Sequence, residues 1–309
     1  MPEARRRSLV GTDQTVGALV QDLASRLAGD TTEAVREARE IVAALLDVPR
    51  HWPILHENRW LDADVWRSAR AAAKKRKAGA PLAYAVGKAS FRNLTLHVDE
   101  RVLIPRPETE LLVDLVLKRS ARGGTAVDVG TGSGAIAIAL ATEGHFDRVI
   151  ATDISRDALA AAEGNARRAG ARIEFVCCDL LNGCEVWGAG SAPQTSHLAP
   201  LSAAYNAVVS NPPYITFEEA RELPSSVRDW EPAVALFSPH EGLAVTARLV
   251  RQAASRLARG GLLALEVDAR RASLVAELVS QDRRYEQVEV HLDLAGRERF
   301  VLATRRNEE

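Results

Sequence analysis

The chain has 309 residues, of which 47% are hydrophobic and 26% charged, with a formal net charge of −1. That length allows two domains, and the near-neutral balance argues against a protein that holds nucleic acid by bulk electrostatics. No apolar run approaches the roughly 18 residues of a membrane-spanning helix, and Arg5-Arg6-Arg7 leads into Gly11-Thr12-Asp13-Gln14 rather than the apolar stretch of a secretion signal. A cytoplasmic protein is expected.

The first ninety residues read as helices. Val16, Leu19, Val20, Leu23 and Leu27 recur at i, i+3, i+4, i+7 spacing and form one apolar face. A second helix is expected after the cap cluster Asp30-Thr31-Thr32, with Val35, Ala38, Ile41, Val42, Leu45 and Leu46 in phase. Pro53 is expected to break the pattern, and a third helix starts near Asp62 and runs to Lys77 before Gly79 and Pro81. Helices this short need one another, which predicts a small helical domain over residues 1–88. The run Lys74-Lys75-Arg76-Lys77 is read first as a solvated helix end and second as a docking patch.

From Phe91 the period changes, and residues 89–104 suggest a connecting hairpin. Strands are then expected at 125–129, 148–152, 172–177, 206–210 and 261–267. Helices are expected from about 134 and 156, and around 243–258 and 271–280. This alternation implies a parallel sheet wound on both faces. The last two strands, 285–291 and 298–304, are joined by Asp293-Leu294-Ala295-Gly296, too short for a crossover helix, so one must run antiparallel. The region 182–204, with Gly188, Gly190, Pro193 and Pro200, reads as a long loop. Cys177, Cys178 and Cys184 fit neither a disulfide framework nor a metal site, and are expected to be reduced thiols.

The segment Asp128-Val129-Gly130-Thr131-Gly132-Ser133-Gly134 carries a strand through a glycine turn into a helix. Glycines let the backbone turn tightly and let a ligand approach atoms that a Cβ would block. Asp128 would repel a pyrophosphate but could meet a cationic ligand. S-adenosylmethionine is such a ligand, with a sulfonium, an ammonium and no phosphate. Asp153 and Asp179 end the next two strands, where the first can bond ribose hydroxyls and the second an adenine amino group. Three acids at successive strand ends share the carboxyl edge, where open α/β sheets bind ligands.

The fourth strand runs into Ser210-Asn211-Pro212-Pro213-Tyr214 at the same edge. An amide or aromatic-amine nitrogen is a poor nucleophile because its lone pair is delocalised, so it must be aimed, and its N–H groups need acceptors. The Asn211 side-chain oxygen and the Pro212 carbonyl can provide two, the prolines pre-organise them, and Tyr214 offers a flat wall. A strong general base is not required.

These residues resemble the bacterial release-factor glutamine N5-methyltransferases, the HemK/PrmC family, from about residue 15 to 304. The resemblance rests on Pro81-Leu82-Ala83-Tyr84 with Gly87 and Phe91, on Leu103-Ile104-Pro105-Arg106-Pro107-Glu108-Thr109-Glu110, on the glycine loop and Asn211–Tyr214, on Glu231-Pro232 with Ala235-Leu236, and on Glu266. It implies a Rossmann-like class I methyltransferase sheet with an antiparallel terminal strand in residues 89–309, and a substrate-recognising helical domain. It implies transfer of a methyl group to the glutamine amide of the Gly-Gly-Gln loop in class I release factors. Cofactor contacts carry onto Gly130, Thr131, Gly132, Ser133, Gly134, Asp153, Asp179, Leu180 and Asn211. Contacts to the substrate amide carry onto Asn211, Pro212, Pro213 and Tyr214, with Asn211, Pro212 and Tyr214 as the catalytic set and no metal. A monomer is expected, with no membrane and no direct nucleic-acid substrate. The departures are the long 182–204 loop, Asn206 where aspartate is common, and Glu266-Val267-Asp268 without its usual glycine.

Asn-Pro-Pro-Tyr also occurs in adenine N6-methyltransferases, which should add a basic target-recognition region. A sister family acting on a glutamine of a large-subunit ribosomal protein typically carries serine after the arginine, where this chain has Pro107. A non-enzymatic adaptor should show decay of one of the two motifs, and neither has decayed.

Overall fold

The structure, a computed structural model, describes residues 14–29, 33–120, 123–187 and 204–307. The chain divides into two compact units, one of Met1–Lys88 with Ser225–Trp230, the other of Ala89–Pro224 with Glu231–Glu309.

The smaller unit contains α1 (Val16–Leu27), α2 (Ala34–Leu46), α3 (Trp52–Leu55), α4 (Ala63–Lys77) and α5 (Leu82–Val86). Leu19, Leu23 and Leu27 of α1 meet Ile41 and Val42 of α2 and Ala69 and Ala73 of α4 in one apolar core. Thr15 caps α1, its hydroxyl accepting from the Ala18 N–H at 3.2 Å. The Asp30–Thr32 cluster lies outside the described residues, and Glu33, which precedes α2, makes no capping bond from its side chain. Pro53 does not break a helix. It stands in the first turn of α3, where a missing N–H costs nothing. The basic run forms the last turn of α4, and Arg76 turns inward to grip the buried carboxylate of Glu37 at 2.8 and 3.0 Å. That residue ties two helices together.

The larger unit opens with a hairpin, β1 (Lys88–Phe91) and β2 (Leu94–His97), followed by α6 (Pro107–Arg119). Helix α6 was not expected from the sequence, although Pro107 at the first position, acids in the first turn and Thr109, Leu112, Val113 and Val116 in phase are helix signals. Two β–α units and a further strand follow: β3 (Thr125–Val129) with α7 (Ala135–Glu143), β4 (Arg148–Asp153) with α8 (Arg156–Ala169), then β5 (Glu174–Asp179). Next come β6 (Asn182–Trp187), β7 (Tyr205–Ser210), α9 (Ser225–Arg228, part of the helical unit), α10 (Ala233–Leu236) and α11 (Ala244–Ala254). The chain closes with β8 (Leu257–Glu266), α12 (Ala272–Gln281), β9 (Tyr285–Leu292) and β10 (Glu298–Arg305).

The strands form one eight-stranded sheet in the order β6-β5-β4-β3-β7-β8-β10-β9. The five strands from β5 to β8 in that order run parallel, and β10 runs antiparallel to both β8 and β9. Strand β3 is buried from Ala126 to Val129, as a strand covered by helices on both faces requires. The predicted class I methyltransferase sheet with its antiparallel C-terminal strand is thus the observed one.

Two expectations fail together at the opposite edge. Residues 182–187 are not loop but strand β6, folded back antiparallel on β5 with Cys177 opposite Glu185 and Val176 opposite Val186. The fold-back brings the Cα atoms of Cys178 and Cys184 to 4.4 Å, and the two sulfurs are bonded. The expectation of three reduced thiols is therefore corrected to one disulfide and one free cysteine, Cys177. The remainder of the predicted loop lies mostly outside the described residues.

Candidate active site

Val129 of β3 and Ser210 of β7 are paired neighbours in adjacent parallel strands, and the Ser210 hydroxyl donates to the Val129 carbonyl at 2.7 Å. The next residue along each strand is Gly130 on one side and Asn211 on the other. Glycine loop and Asn-Pro-Pro-Tyr turn therefore leave the carboxyl edge at the same level, a position set by sheet register.

Between them opens a cavity of about 260 Å³ lined by Gly130, Gly132, Asp153, Leu180, Asn211 and Pro213, among others. Wider clefts of about 570 and 640 Å³ lie elsewhere, and neither includes the glycine loop or the Asn211 turn. Gly130 and Gly132 have φ of 72° and 54°, a left-handed backbone that other residues enter at a cost, and a Cβ built on either would meet nothing within 4 Å. Bare backbone is thus presented to open space. Thr131, Ser133 and Gly134 do not line the cavity. Thr131 donates to Asp128 at 2.7 Å, the Ser133 carbonyl accepts from Asn165 at 2.9 Å, and a Cβ on Gly134 would press on the Ala162 methyl at 3.1 Å. They brace the loop from behind.

The three acids separate into three situations. Asp128 is fully buried and does not line the cavity, so the sequence reading that it could meet a cationic ligand is not met by its position. It accepts from Thr131 and from the Ala137 N–H at 3.1 Å, and burial pushes its carboxyl up to about 7 against those bonds. Asp153 lines the cavity and is oriented by the N–H groups of Gly132 at 3.0 Å and Ser155 at 2.9 Å, while burial raises its pKa. Asp179 is an exposed rim residue paired with Arg248 of α11. Leu180 follows it in the β5–β6 turn with φ of 60°, and its carbonyl accepts from Thr152 at 3.0 Å.

On the other wall, Asn211 and Pro213 line the cavity, while the buried Pro212 and the half-buried Tyr214 do not. Burial, with the Glu266 carboxylate adding, pushes the Tyr214 phenol up to about 12. The turn continues into a short bridge: the Ile215 N–H donates to the Leu236 carbonyl at 3.0 Å and the Ser238 N–H to the Ile215 carbonyl at 2.9 Å. A Cβ on Gly242 would come within 2.1 Å of the Tyr214 carbonyl, so only glycine admits this approach.

Residues 18–87 match the PrmC N-terminal domain and residues 126–192 a methyltransferase domain. The release factor glutamine methyltransferase of Lactococcus lactis is 38% identical over 222 residues, covering 72% of this chain and 76% of that protein. That of Deinococcus radiodurans is 36% identical over 272 residues, covering 87% and 90%. The chain belongs to the release factor glutamine methyltransferase family. A methyltransferase from Pyrococcus furiosus shares the fold at 16% identity, with a TM-score of 0.50 over 77% of this chain and 98% of that one.

Within this family the structure gives the Ile104–Glu110 segment a physical role. The Arg106 guanidinium donates to the buried Glu231 carboxylate at 2.7 Å, and the Ile104 N–H reaches the same carboxylate at 3.4 Å. Thr109 donates to Glu266 at 2.7 Å and accepts from the Asn211 amide nitrogen at 3.3 Å. Glu110 accepts from the Arg92 N–H at 2.9 Å, while Arg92 also grips Glu143 and Asp114. Arg106, Thr109, Glu231 and Glu266 stand in the sequence as markers of the family resemblance, with no part in the site expected of them. For Glu266 the available signal was a carboxylate ending the apolar run Leu262-Leu263-Ala264-Leu265, whereas Glu231, preceded by Arg228-Asp229-Trp230, carried no such signal. Asn206, a departure from the family pattern, accepts from the Thr125 N–H at 2.9 Å and so anchors the start of β3.

No helix among the described residues is long and apolar enough to cross a membrane, and no metal-binding group of His, Cys, Asp and Glu occurs among them.

Proposed function

We propose that this protein methylates the side-chain amide nitrogen of the glutamine in the Gly-Gly-Gln loop of class I peptide chain release factors. The observation that carries the reading is the register of β3 and β7, which sets the cofactor-type glycine loop and the amide-type acceptor turn against one cavity. The methyl donor is S-adenosylmethionine. The residues fit it: two left-handed glycines expose backbone without side chains, an oriented Asp153 carboxylate can take ribose hydroxyls, and Asp179 stands at the rim. Bound there, the sulfonium supplies an electrophilic methyl group.

The chain's own residues do the aiming. Asn211 offers an oxygen to one amide hydrogen of the substrate, and the Pro212 carbonyl to another. Pro213 lines the wall beside Asn211, and Tyr214, next in the turn, is the flat ring available to a bound amide. Thr131, Ser133 and Gly134 brace the glycine loop from behind, and Leu180 lines the cofactor pocket. The helical unit selects the substrate. Exposed Ile54, Leu55 and Trp60 give it an apolar surface for a protein partner. The protein acts in the cytoplasm as a monomer, without a nucleic-acid substrate, in keeping with its net charge of −1.

The test is mass spectrometry of a class I release factor incubated with the enzyme and S-adenosylmethionine. The Gly-Gly-Gln peptide should gain one methyl group on glutamine. Methylation of a large-subunit ribosomal protein or of an adenine-containing oligonucleotide, with the release factor untouched, overturns the assignment.

A further inference from the structure

Asn211 is useful only if its amide is the right way round. Its oxygen must face the substrate, yet the two branches of a carboxamide have nearly the same shape, and sterics alone would permit either orientation. Something must break that degeneracy.

The surroundings of Thr109 do so. Its hydroxyl lies 2.7 Å from Oε2 of Glu266 and 3.3 Å from Nδ2 of Asn211. A hydroxyl carries a single proton. An ionised carboxylate can only accept, so the Thr109 proton goes to Glu266, and toward Asn211 the hydroxyl can only present a lone pair. The branch of Asn211 that meets it must then be the NH2 group, and the carbonyl branch points the other way. Glu266 sets the hydroxyl, and the hydroxyl sets the amide.

We infer that Thr109 is a positioning residue for methyl transfer, holding Asn211 with its oxygen available to the substrate amide through a hydrogen-bonded chain from Glu266. This rests on the proposed role of Asn211. Thr109 is 4% and Glu266 1% exposed, so water does not compete for either partner. The chain also draws its members from three distant places: the first turn of α6, the end of β8 and the residue after β7. Burial pushes the Glu266 carboxyl up to about 7, against the Thr109 hydrogen bond and the charges of Arg299 and Arg106, with Glu108 adding to the rise. Above that pH the carboxylate is the pure acceptor that the chain requires.

The experiment compares Thr109→Val, Thr109→Ser and Asn211→Ala at pH 8 in full-length enzyme, with release factor and S-adenosylmethionine. Valine keeps the shape and removes the hydroxyl. It should lower kcat about tenfold to a hundredfold, the cost of a misaligned reacting group, while the release-factor KM and the cofactor Kd move less than about threefold. Serine restores the hydroxyl and should recover most of the lost rate. The side-chain 15N resonance of Asn211, assigned by its absence from Asn211→Ala, should shift in the valine variant and return in the serine one. If the valine variant does not fold, Thr109→Ala serves in its place.

Thr109→Val at near-parental kcat, with Asn211→Ala disabled, overturns the positioning role and leaves the Asn211 reading standing. A loss that serine does not recover, or one that appears equally in cofactor Kd and melting temperature, makes Thr109 a packing residue and overturns the inference. Full turnover by Asn211→Ala removes the parent reading and the inference with it.

Discussion

The two walls of the cavity are held in opposite ways. The glycine wall is held from the adjoining strand: Gly130 and Thr131 donate backbone N–H groups to the Thr152 carbonyl and Gly132 to Asp153, 21 residues on, while Thr131 bonds Asp128 three residues away. The acceptor wall is remote. Asn211 is tied to Thr109, 102 residues earlier, and Thr109 to Glu266, 157 residues later. A ligand that needs bare backbone can be served by a short motif, because conformation is a property of neighbouring residues. A nucleophile that must be aimed needs side chains fixed from outside, since a turn cannot brace its own amide.

If the walls are separable, their variants should separate binding from turnover. Asn211→Ala gives the largest effect, a fall in kcat of roughly 10²-fold or more, equivalent to about 2.7 kcal/mol. Single-turnover assays check it, and near-normal methylation would dissolve the distinction. Asp153→Ala acts on the opposite wall. Losing a hydrogen bond to a charged group should weaken S-adenosylmethionine binding by about 1.5–3 kcal/mol, measured by calorimetry, with turnover at saturating cofactor affected much less. An equal loss in kcat would mean that the cofactor wall also aligns the reaction. Arg248→Ala should do least. Its pair with Asp179 is exposed on both sides, and such pairs contribute about 0.2–1 kcal/mol. A change in cofactor affinity beyond about fivefold would promote the rim pair to a binding element.

This difference also governs what could be read from the amino-acid string. The glycine loop and its strand stood out because the signal is contiguous, and so did the alternation that predicts the sheet. Thr109 and Glu266 were visible as residue types in a family pattern, but nothing in either segment announces that they meet, because a link across 157 residues exists only once α6 and β8 are packed. The missed helix α6 shows a different limit: Pro107, first-turn acids and the periodicity of Leu112, Val113 and Val116 are present, but Arg106 before them offers no capping oxygen to mark the start. Strand β6 was obscured for a third reason. Asn182–Trp187 contains a glycine and charged or polar residues, and edge strands need little apolar character because one side is unpaired. Missing it also hid the Cys178–Cys184 bond, which only the fold-back explains.

Strand β6 has a consequence for the route of the chain. It turns at the carboxyl edge, beside Leu180, and runs back so that Trp187 pairs with Phe175 near the amino end of β5. Strand β7 starts at that same amino edge, four positions along the sheet. At roughly 4.8 Å per strand this is a lateral journey of about 19 Å, which about six extended residues would span. The chain supplies residues 188–204 for it, far more than the distance demands. Both strand ends, Trp187 and Tyr205, stand at the amino edge of the sheet, opposite the edge where Gly130 and Asn211 leave their strands.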